Sequence, residues 1–558
     1  MKIINTKRKK NRFRITLPKV LLLILFLIGA FYRFRYADTF MTEYDDIGTL
    51  ALNIRGHQYL INPYLYFYNI ASGWTYPPGQ YFIFSLLFLP FADLSLQGGK
   101  LIAGDMDFLT MHTVARYFVG LCSLMNMLLI WKILNKYFDR GQARASTLLC
   151  ITLLGLSLFH IAYSYHTGPY VPALTAMLLM ITLAWNNTYK SARWISFFVL
   201  MALLVHFNYL ILIMLPALII SSFYEICRQN NFIYYVKNHL FYNVIGILLF
   251  SLLIAHLFLA SFFFEKTVYI KSNRGMHGDY LFENGMGEAF MNFWKSSYAI
   301  FHNLFNFSYN LVPTLEYLIY IPLFILILIG VLVGIWHLIS PKHFKNKKST
   351  NLVTLFLLLF AATWMVLHYF KKVPFHDTRH LIFWTPFYLV FLKLGLDFVL
   401  NRWFRGAKKS YLELILLPLV LFAITSNVFF SERQAQFNFD DIKDLIETYK
   451  PTTMGMDLAT LHPLMLNHSY PDMYINPQTG DDFNDPSMPQ YPGFSERPYI
   501  YVGQSEPLSP VFIEKLEQVH GKSLVQEFIH APEKSIYMAP NNTPLNSCRN
   551  AKYIYIFE

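Results

Sequence analysis

The chain has 558 residues, of which 55% are apolar and 14% charged, with mean hydropathy +0.35 and net charge +12. Soluble domains carry about 25% charged residues, and a soluble chain this long needs a polar skin on each of several domains, so soluble and disordered classes are excluded. Four cysteines in this length exclude a disulfide-held secreted scaffold, which leaves a polytopic membrane protein, and the long apolar runs that follow read as helices and make its membrane part all-α.

Residues 1–17 form a basic N-terminus with Lys7, Arg8, Lys9, Lys10, Arg12 and Arg14. The apolar run from Pro18 to Tyr36 follows. Phe31-Tyr32-Arg33-Phe34-Arg35 is a poor signal-peptidase site, so the run reads as a retained first helix with a cytoplasmic N-terminus. A span needs about 20 apolar residues. Further runs lie near 112–134, 145–165, 171–188, 194–207, 209–225, 241–263, 317–339, 351–370, 380–400 and 411–430, giving about 11 transmembrane helices. Lys132, Lys136, Arg140 and Arg144 form one basic loop, Lys190 and Arg193 the next, then Arg228 and Lys237. Lys342, Lys345, Lys347 and Lys348 follow, then Arg402, Arg405, Lys408 and Lys409. Every second loop is basic, which sets the C-terminus outside. The pair 194–225, interrupted by His206-Phe207-Asn208-Tyr209, reads as two short spans or a kinked or re-entrant element.

Gln80 to Phe91 is too short to cross and reads as a juxtamembrane helix on the outer face. The transmembrane region is therefore 18–430, with large outer loops at 37–111 and 265–316. The tail from Ser431 carries 17 acidic and 9 basic residues, a net of −8, against +20 for the first 430. It reads as a small α/β extracytoplasmic domain, 431–558. Its signals are a helical stretch at 440–447, strands at 499–502 and 553–557, and loop chemistry through 471–494. The basic residues sit in short loops between apolar runs, which points to membrane and not to nucleic acid.

Chemistry-bearing residues gather in the outer segments. Asp45 and Asp46 are adjacent carboxylates beyond the first span. A divalent ion or a shared proton relieves their repulsion, and a carboxylate there can act as a general base. The competing reading is a solvated helix start, where Asp favours the dipole. Tyr76-Pro77-Pro78-Gly79 fixes an extended entry to the juxtamembrane helix, and by itself is a helix-start signal. Lys371-Lys372-Val373-Pro374-Phe375-His376-Asp377-Thr378-Arg379-His380 places cations on the outer side against the positive-inside rule. Snorkelling accounts for the lysines, whereas Arg379 and His380 at the mouth of a span suit an anionic ligand. Arg116, just inside a span, calls for a partner. His166, Lys271 and Arg274 are further outer polar residues, and a lone His at a helix end is more often structural. No P-loop, Gly-x-Ser-x-Gly elbow or zinc signature is present.

In order and sidedness these motifs resemble the GT-C superfamily of membrane glycosyltransferases, in its protein O-mannosyltransferase and aminoarabinose transferase branch (the family 39 type). The likeness covers 18–400 as topology. It rests on Asp45-Asp46 after one helix, Tyr76-Pro77-Pro78 before a juxtamembrane helix, Arg116 at the start of the next span, and Arg379-His380 before Leu381-Ile382-Phe383-Trp384-Thr385-Pro386. Departures are Asp-Asp for the family's Asp-Glu, Arg-His for Arg-Tyr, and no Asp beside His166-Thr167-Gly168-Pro169. The resemblance implies transfer of a sugar from a polyprenyl-phosphate donor to a lipid, glycan or protein acceptor on the outer face of a membrane, a bacterial plasma membrane in the first instance. It implies Asp45 as base and Asp46 as its orienting partner, with a divalent ion (Mg or Mn) between them where one is used. Arg379, with His380 and Arg116, would take the donor phosphate. Tyr76, Pro77, Pro78, His166, Lys271 and Arg274 would line the substrate site. The rival readings are a transporter or flippase of an anionic lipid-linked substrate, and an O-antigen ligase-like transferase. A transporter tends to show repeated halves and midplane charges, neither of which stands out here.

Overall fold

The computed structural model describes residues 17–34, 79–88, 90, 94–97, 100–103, 108–139, 145–187, 193–206, 209–229, 232–263, 286–306, 313–340, 348–370, 373, 375, 379–403, 439–451, 453–456, 474–477, 499–503, 508, 510, 513–514, 523–529 and 553–558. In chain order these form α1 Leu17–Phe34, α2 Gly79–Phe88, the strands β1 Leu94–Gln97 and β2 Lys100–Ala103, then α3 Phe108–Tyr137, α4 Ala145–Leu156, α5 Leu158–Ser164 and α6 Tyr170–Asn187. Next come α7 Arg193–Val205, a 3-10 segment Tyr209–Ile213, α8 Met214–Gln229, α9 Phe232–Asn238, α10 Leu240–Phe263, α11 Met286–Phe305, α12 Pro313–Ile339 and α13 Lys348–Tyr369. A second 3-10 segment, Arg379–Trp384, leads into α14 Thr385–Trp403. The tail holds α15 Phe439–Tyr449 and strands β3 Thr453–Met456, β4 Tyr474–Pro477, β5 Tyr499–Gly503, β6 Leu524–Ile529 and β7 Tyr553–Phe557.

Among the described residues four helical stretches are long and apolar enough to cross a membrane: Thr113–Tyr137, Tyr317–Ile339, Asn351–Tyr369 and His380–Arg402. The expected runs before residue 400 are helical, with three refinements. The run 145–165 is broken at Ser157 into α4 and α5. The run 380–400 begins with 3-10 backbone. The 194–225 pair divides at Tyr209–Ile213, with α7 packed on α10 and α8 on α13. The run 411–430 lies outside the described residues.

Apolar association has little driving force in lipid, so close backbone contact has to hold helices together. Gly330 on α12 and Gly395 on α14 provide it. A Cβ on Gly330 would stand 1.8 Å from the Phe391 carbonyl oxygen, and one on Gly395 would stand 1.9 Å from that of Leu326. The two backbones therefore touch across this crossing.

The α4–α5 element runs along α14 in opposite direction, and three contacts mark the seam. Ser146 Oγ donates to Asp397 at 2.7 Å, Cys150 Sγ lies 3.4 Å from the Leu389 carbonyl, and His160 Nε2 meets Thr385 Oγ1 at 3.3 Å. Beside the seam, α11 brings Phe301 and Phe305 against Tyr388, whose hydroxyl donates to the Ser297 carbonyl at 3.0 Å. Trp384 sits amid Phe360, Trp364, Phe375 and Phe387. The sequence reading of 265–316 did not include α11.

The tail strands form one mixed sheet in the order β4-β3-β5-β7-β6. β3 runs parallel to β4 and β5, and β7 runs antiparallel to β5 and β6. Ile500, Tyr501 and Val502, with Ile554 to Phe557, are buried, as continuous apolar strands at a sheet centre should be. Ile442 and Ile446, one turn apart, form the buried face of α15. One expectation is corrected: the stretch 471–494 is not all loop, because Tyr474–Pro477 forms the edge strand β4. Four residues at an edge, ending in Pro, give too short a pattern to stand out from the Asn, Asp and Gly around them. The sequence reading also passed over the β1–β2 hairpin, in which Gln97 pairs with Lys100 on either side of Gly98-Gly99 in sequence.

Candidate functional site

One end of the bundle is defined by the C-terminus of α1, the start of α3 and the end of α5. Phe34 stacks on Tyr117 at 5.6 Å, and the Tyr165 hydroxyl donates to the Tyr32 carbonyl. From this end the chain leaves α1 toward Asp45 and Asp46. Those two residues, with Tyr76, Pro77, Pro78, Lys271 and Arg274, lie outside the described residues.

The described candidates are His166, His380, Arg116 and the backbone of Arg379. His166 stands in the short turn between α5 and α6. Its Nδ1 accepts the Gly168 N–H at 3.0 Å, so in the neutral ring the proton sits on Nε2. Gly168 is required here, since a Cβ would lie 2.7 Å from the His166 ring. The ring stacks on Tyr163 with centroids 5.3 Å apart and planes at 23°, and meets Tyr170 edge-on at 5.9 Å. Tyr170 in turn meets His380 edge-on at 5.4 Å. One tyrosine ring thus joins two histidines that are 214 positions apart in sequence. The Arg379–Trp384 segment packs against α6, which places the Arg379 backbone beside this cluster.

Arg116 is buried on α3, at 1% exposure, and α3 packs against α5. Below the cluster, Phe159 lies 4.4 Å from Tyr163 by ring centroids, and His160 reaches Thr385. Sequence reasoning missed His160, Tyr163, Tyr170 and Thr385 as members. The usable signal was the density of His and Tyr in Phe159-His160-Ile161-Ala162-Tyr163-Ser164-Tyr165-His166, seven of which are buried.

Imidazole and phenol groups donate hydrogen bonds to anionic oxygen, and a guanidinium adds a planar fork. Among the described residues the cluster includes no carboxylate, so its histidines are its bases and its phenols and imidazoles its donors. Among the described residues no group of three His, Cys, Asp or Glu side chains is placed to hold a metal ion.

A second polar centre was not anticipated. At the far end of the α4–α14 seam, Lys393 Nζ lies 2.6 Å from Asp139 and 3.1 Å from Asp397, and donates to Ser146 Oγ at 2.9 Å. Thr147 Oγ1 donates to Asp139 at 2.5 Å. Lys393 and Asp139 side chains are fully buried. Charged residues i and i+4 inside an apolar span were the available signal.

No family model matches the chain, and no curated protein matches it. Solved structures are similar to it, among them these two. One is the Archaeoglobus fulgidus oligosaccharyltransferase tethered to an acceptor peptide containing an NVT sequon. It is 12% identical with a TM-score of 0.42, covering 85% of this chain and 60% of its own, so this chain spans less than two thirds of that protein. The other is ArnT from Cupriavidus metallidurans bound to undecaprenyl phosphate, 11% identical with a TM-score of 0.36, covering 96% of this chain and 97% of its own.

Proposed function

We propose that this chain is a membrane glycosyltransferase that moves a sugar from a polyprenyl-phosphate donor to a lipid, glycan or protein acceptor, on the extracytoplasmic face. The observation that carries the reading is the Tyr170 bridge between His166 and His380. It draws the Arg379 segment to the end of the bundle from which the Asp45–Asp46 loop departs. A departing lipid phosphate gains negative charge, and preorganised donors at that point lower the barrier. In this reading Arg379, His380 and Arg116 attend the phosphate. Asp45 takes the acceptor proton, and Asp46 orients it. A divalent ion between the two carboxylates would supply further positive charge. Tyr76, Pro77, Pro78, Lys271 and Arg274 complete the substrate walls. The tail sheet stands on the same face, and the membrane is the bacterial plasma membrane.

Binding of undecaprenyl phosphate to protein in nanodiscs tests the donor half. Arg379→Ala should weaken it by about 10- to 100-fold, as for a lost hydrogen bond to a charged group. Arg379→Lys should restore part, since an ammonium cannot grip two oxygens with a fixed fork. Asp45→Asn should leave this binding intact and lower sugar transfer by about 10²–10⁴-fold. Unchanged binding in Arg379→Ala removes the arginine from the phosphate site. Full transfer by Asp45→Asn removes the base.

A further inference from the structure

The break between α4 and α5 leaves backbone groups to be satisfied inside the bundle. A helix end strands its last carbonyls, and in hydrocarbon no water is at hand to take them. The start of α5 is answered by side chain and backbone. Ser157 Oγ accepts the His160 N–H at 3.2 Å as an N-cap and donates to the Leu304 carbonyl at 2.7 Å. The Leu158 N–H donates to the Asn306 carbonyl at 2.8 Å.

The end of α4 is answered by Arg33, from α1. Its Nη2 donates to the Leu154 carbonyl at 3.2 Å and its Nη1 to that of Gly155 at 2.9 Å. Nη1 also reaches the Gly29 carbonyl at 3.0 Å, and Nε donates to Ser123 Oγ at 2.7 Å. Arg33 is fully buried, and all four acceptors are neutral. A buried guanidinium is ordinarily costly without a counter-charge. Here the partial negative charge at the C-terminus of α4 takes that role. The fork geometry suits the task, since three nitrogens serve α1, α3 and α4 at once.

We propose that Arg33 is the positioning residue of the candidate site. By capping α4 it sets the height and orientation of α5, which carries His160 and Tyr163 and leads into the His166 turn. Only the ligand arm of the test rests on the function proposed above.

Hydrogen exchange in nanodiscs reads the cap directly. In Arg33→Met the amides of 154–166 should exchange about 10- to 100-fold faster, the range for losing hydrogen bonds to a charged group. The amides of α12 and α13 should keep their rates. Arg33→Lys should fall between, because an ammonium cannot span the same acceptors. Affinity for undecaprenyl phosphate should fall about tenfold or more in Arg33→Met and recover in part in Arg33→Lys. Exchange at 154–166 that is unchanged, or that rises equally in α12 and α13, overturns the cap. Faster exchange with wild-type affinity reduces Arg33 to a structural residue and overturns its positioning role. A wild-type protein that fails to bind undecaprenyl phosphate sinks the functional reading, and the exchange data then decide the cap alone. Should Arg33→Met not fold, Ser123→Ala takes its place and should give the same localised rise at smaller size.

Discussion

Lys393 and Arg33 are both cations buried in apolar helices, yet the first sits among carboxylates and the second among neutral dipoles. Lys393 ties α14 to the α3–α4 connection through Asp139, Asp397 and Ser146. The helix that carries it is continuous, and two carboxylates, Asp139 and Asp397, balance its charge. Arg33 lies where a helix is interrupted, and the interruption itself supplies the acceptors. The contrast separates two uses of charge in one bundle. Closed ion pairs join helices at one end. At the other, a cation braces broken backbone beneath a cluster of His and Tyr.

The sharpest way to break this comparison is Lys393→Met, which leaves Asp139 buried beside a thioether. Removing one partner of a buried pair costs about 3–5 kcal/mol. Thermal unfolding in detergent should show a larger loss for this variant than for Gly395→Ala, Ser157→Ala or Thr385→Val. Adding Asp139→Asn should recover part of that loss, since the stranded charge is then gone. A double variant no better than the single one would show that Lys393 acts by packing and not by charge.

Next in size is the α12–α14 crossing that seats α14. Gly395→Ala drives a Cβ to within 1.9 Å of the Leu326 carbonyl oxygen, which is backbone and cannot rotate away. Overpacking of this kind costs about 1–3 kcal/mol. The helices must part, and the Lys393 ties two residues away should loosen with them. If Gly395→Ala and Lys393→Met add without coupling in a double-mutant cycle, the ion pairs are independent of the crossing.

How much of this could be read from sequence follows from the range of the forces. Span positions, α15, β5 and β7 were legible because apolar periodicity is local. The Tyr76-Pro77-Pro78-Gly79 signal foretold α2, which begins at Gly79. The break at Ser157 was not legible, since Leu154-Gly155-Leu156-Ser157-Leu158 reads as an unbroken apolar helix. What stops it lies on α1 and α11. Lys393 and Asp397 stood in plain view as charges within a span, but Asp139 is more than 250 positions away and the pairing needed the fold. Within the candidate site His166, His380 and Arg116 were picked out by polarity at helix ends. Their aromatic partner Tyr170 was not, because a tyrosine there is ordinary.

A smaller effect tests the brace from its other side. Ser157→Ala removes the N-cap of α5 and the bond to Leu304, at a cost of about 0.5–2 kcal/mol. Stability measured by chemical denaturation should fall by that amount. The loss should couple to Arg33→Lys, because both residues hold the same break. Strict additivity would mean that α4 and α5 are secured separately.

The smallest expected change is at Thr385, where the seam reaches the site. Its hydroxyl lies 3.3 Å from His160 Nε2, both groups are buried, and Thr385 opens α14 directly after the Arg379–Trp384 segment. Thr385→Val keeps the shape and β-branching and deletes one hydrogen bond, worth about 0.5–1.5 kcal/mol net. The loss is limited because the bond is neutral and near the distance limit, unlike the charge-assisted ties of Lys393. Its local consequence should exceed its effect on stability. With the bond gone, His160 no longer fixes the start of α14 against α5, and His380, five residues earlier, gains freedom relative to Tyr170. The ring resonances of His380 in histidine-labelled protein should shift or broaden in Thr385→Val, while unfolding temperature barely moves. In Lys393→Met the order should reverse, with a large drop in unfolding temperature and little change at His380. If both variants disturb His380 equally, the two ends of the seam are one mechanical unit, and the division between bracing cation and closing ion pair does not hold.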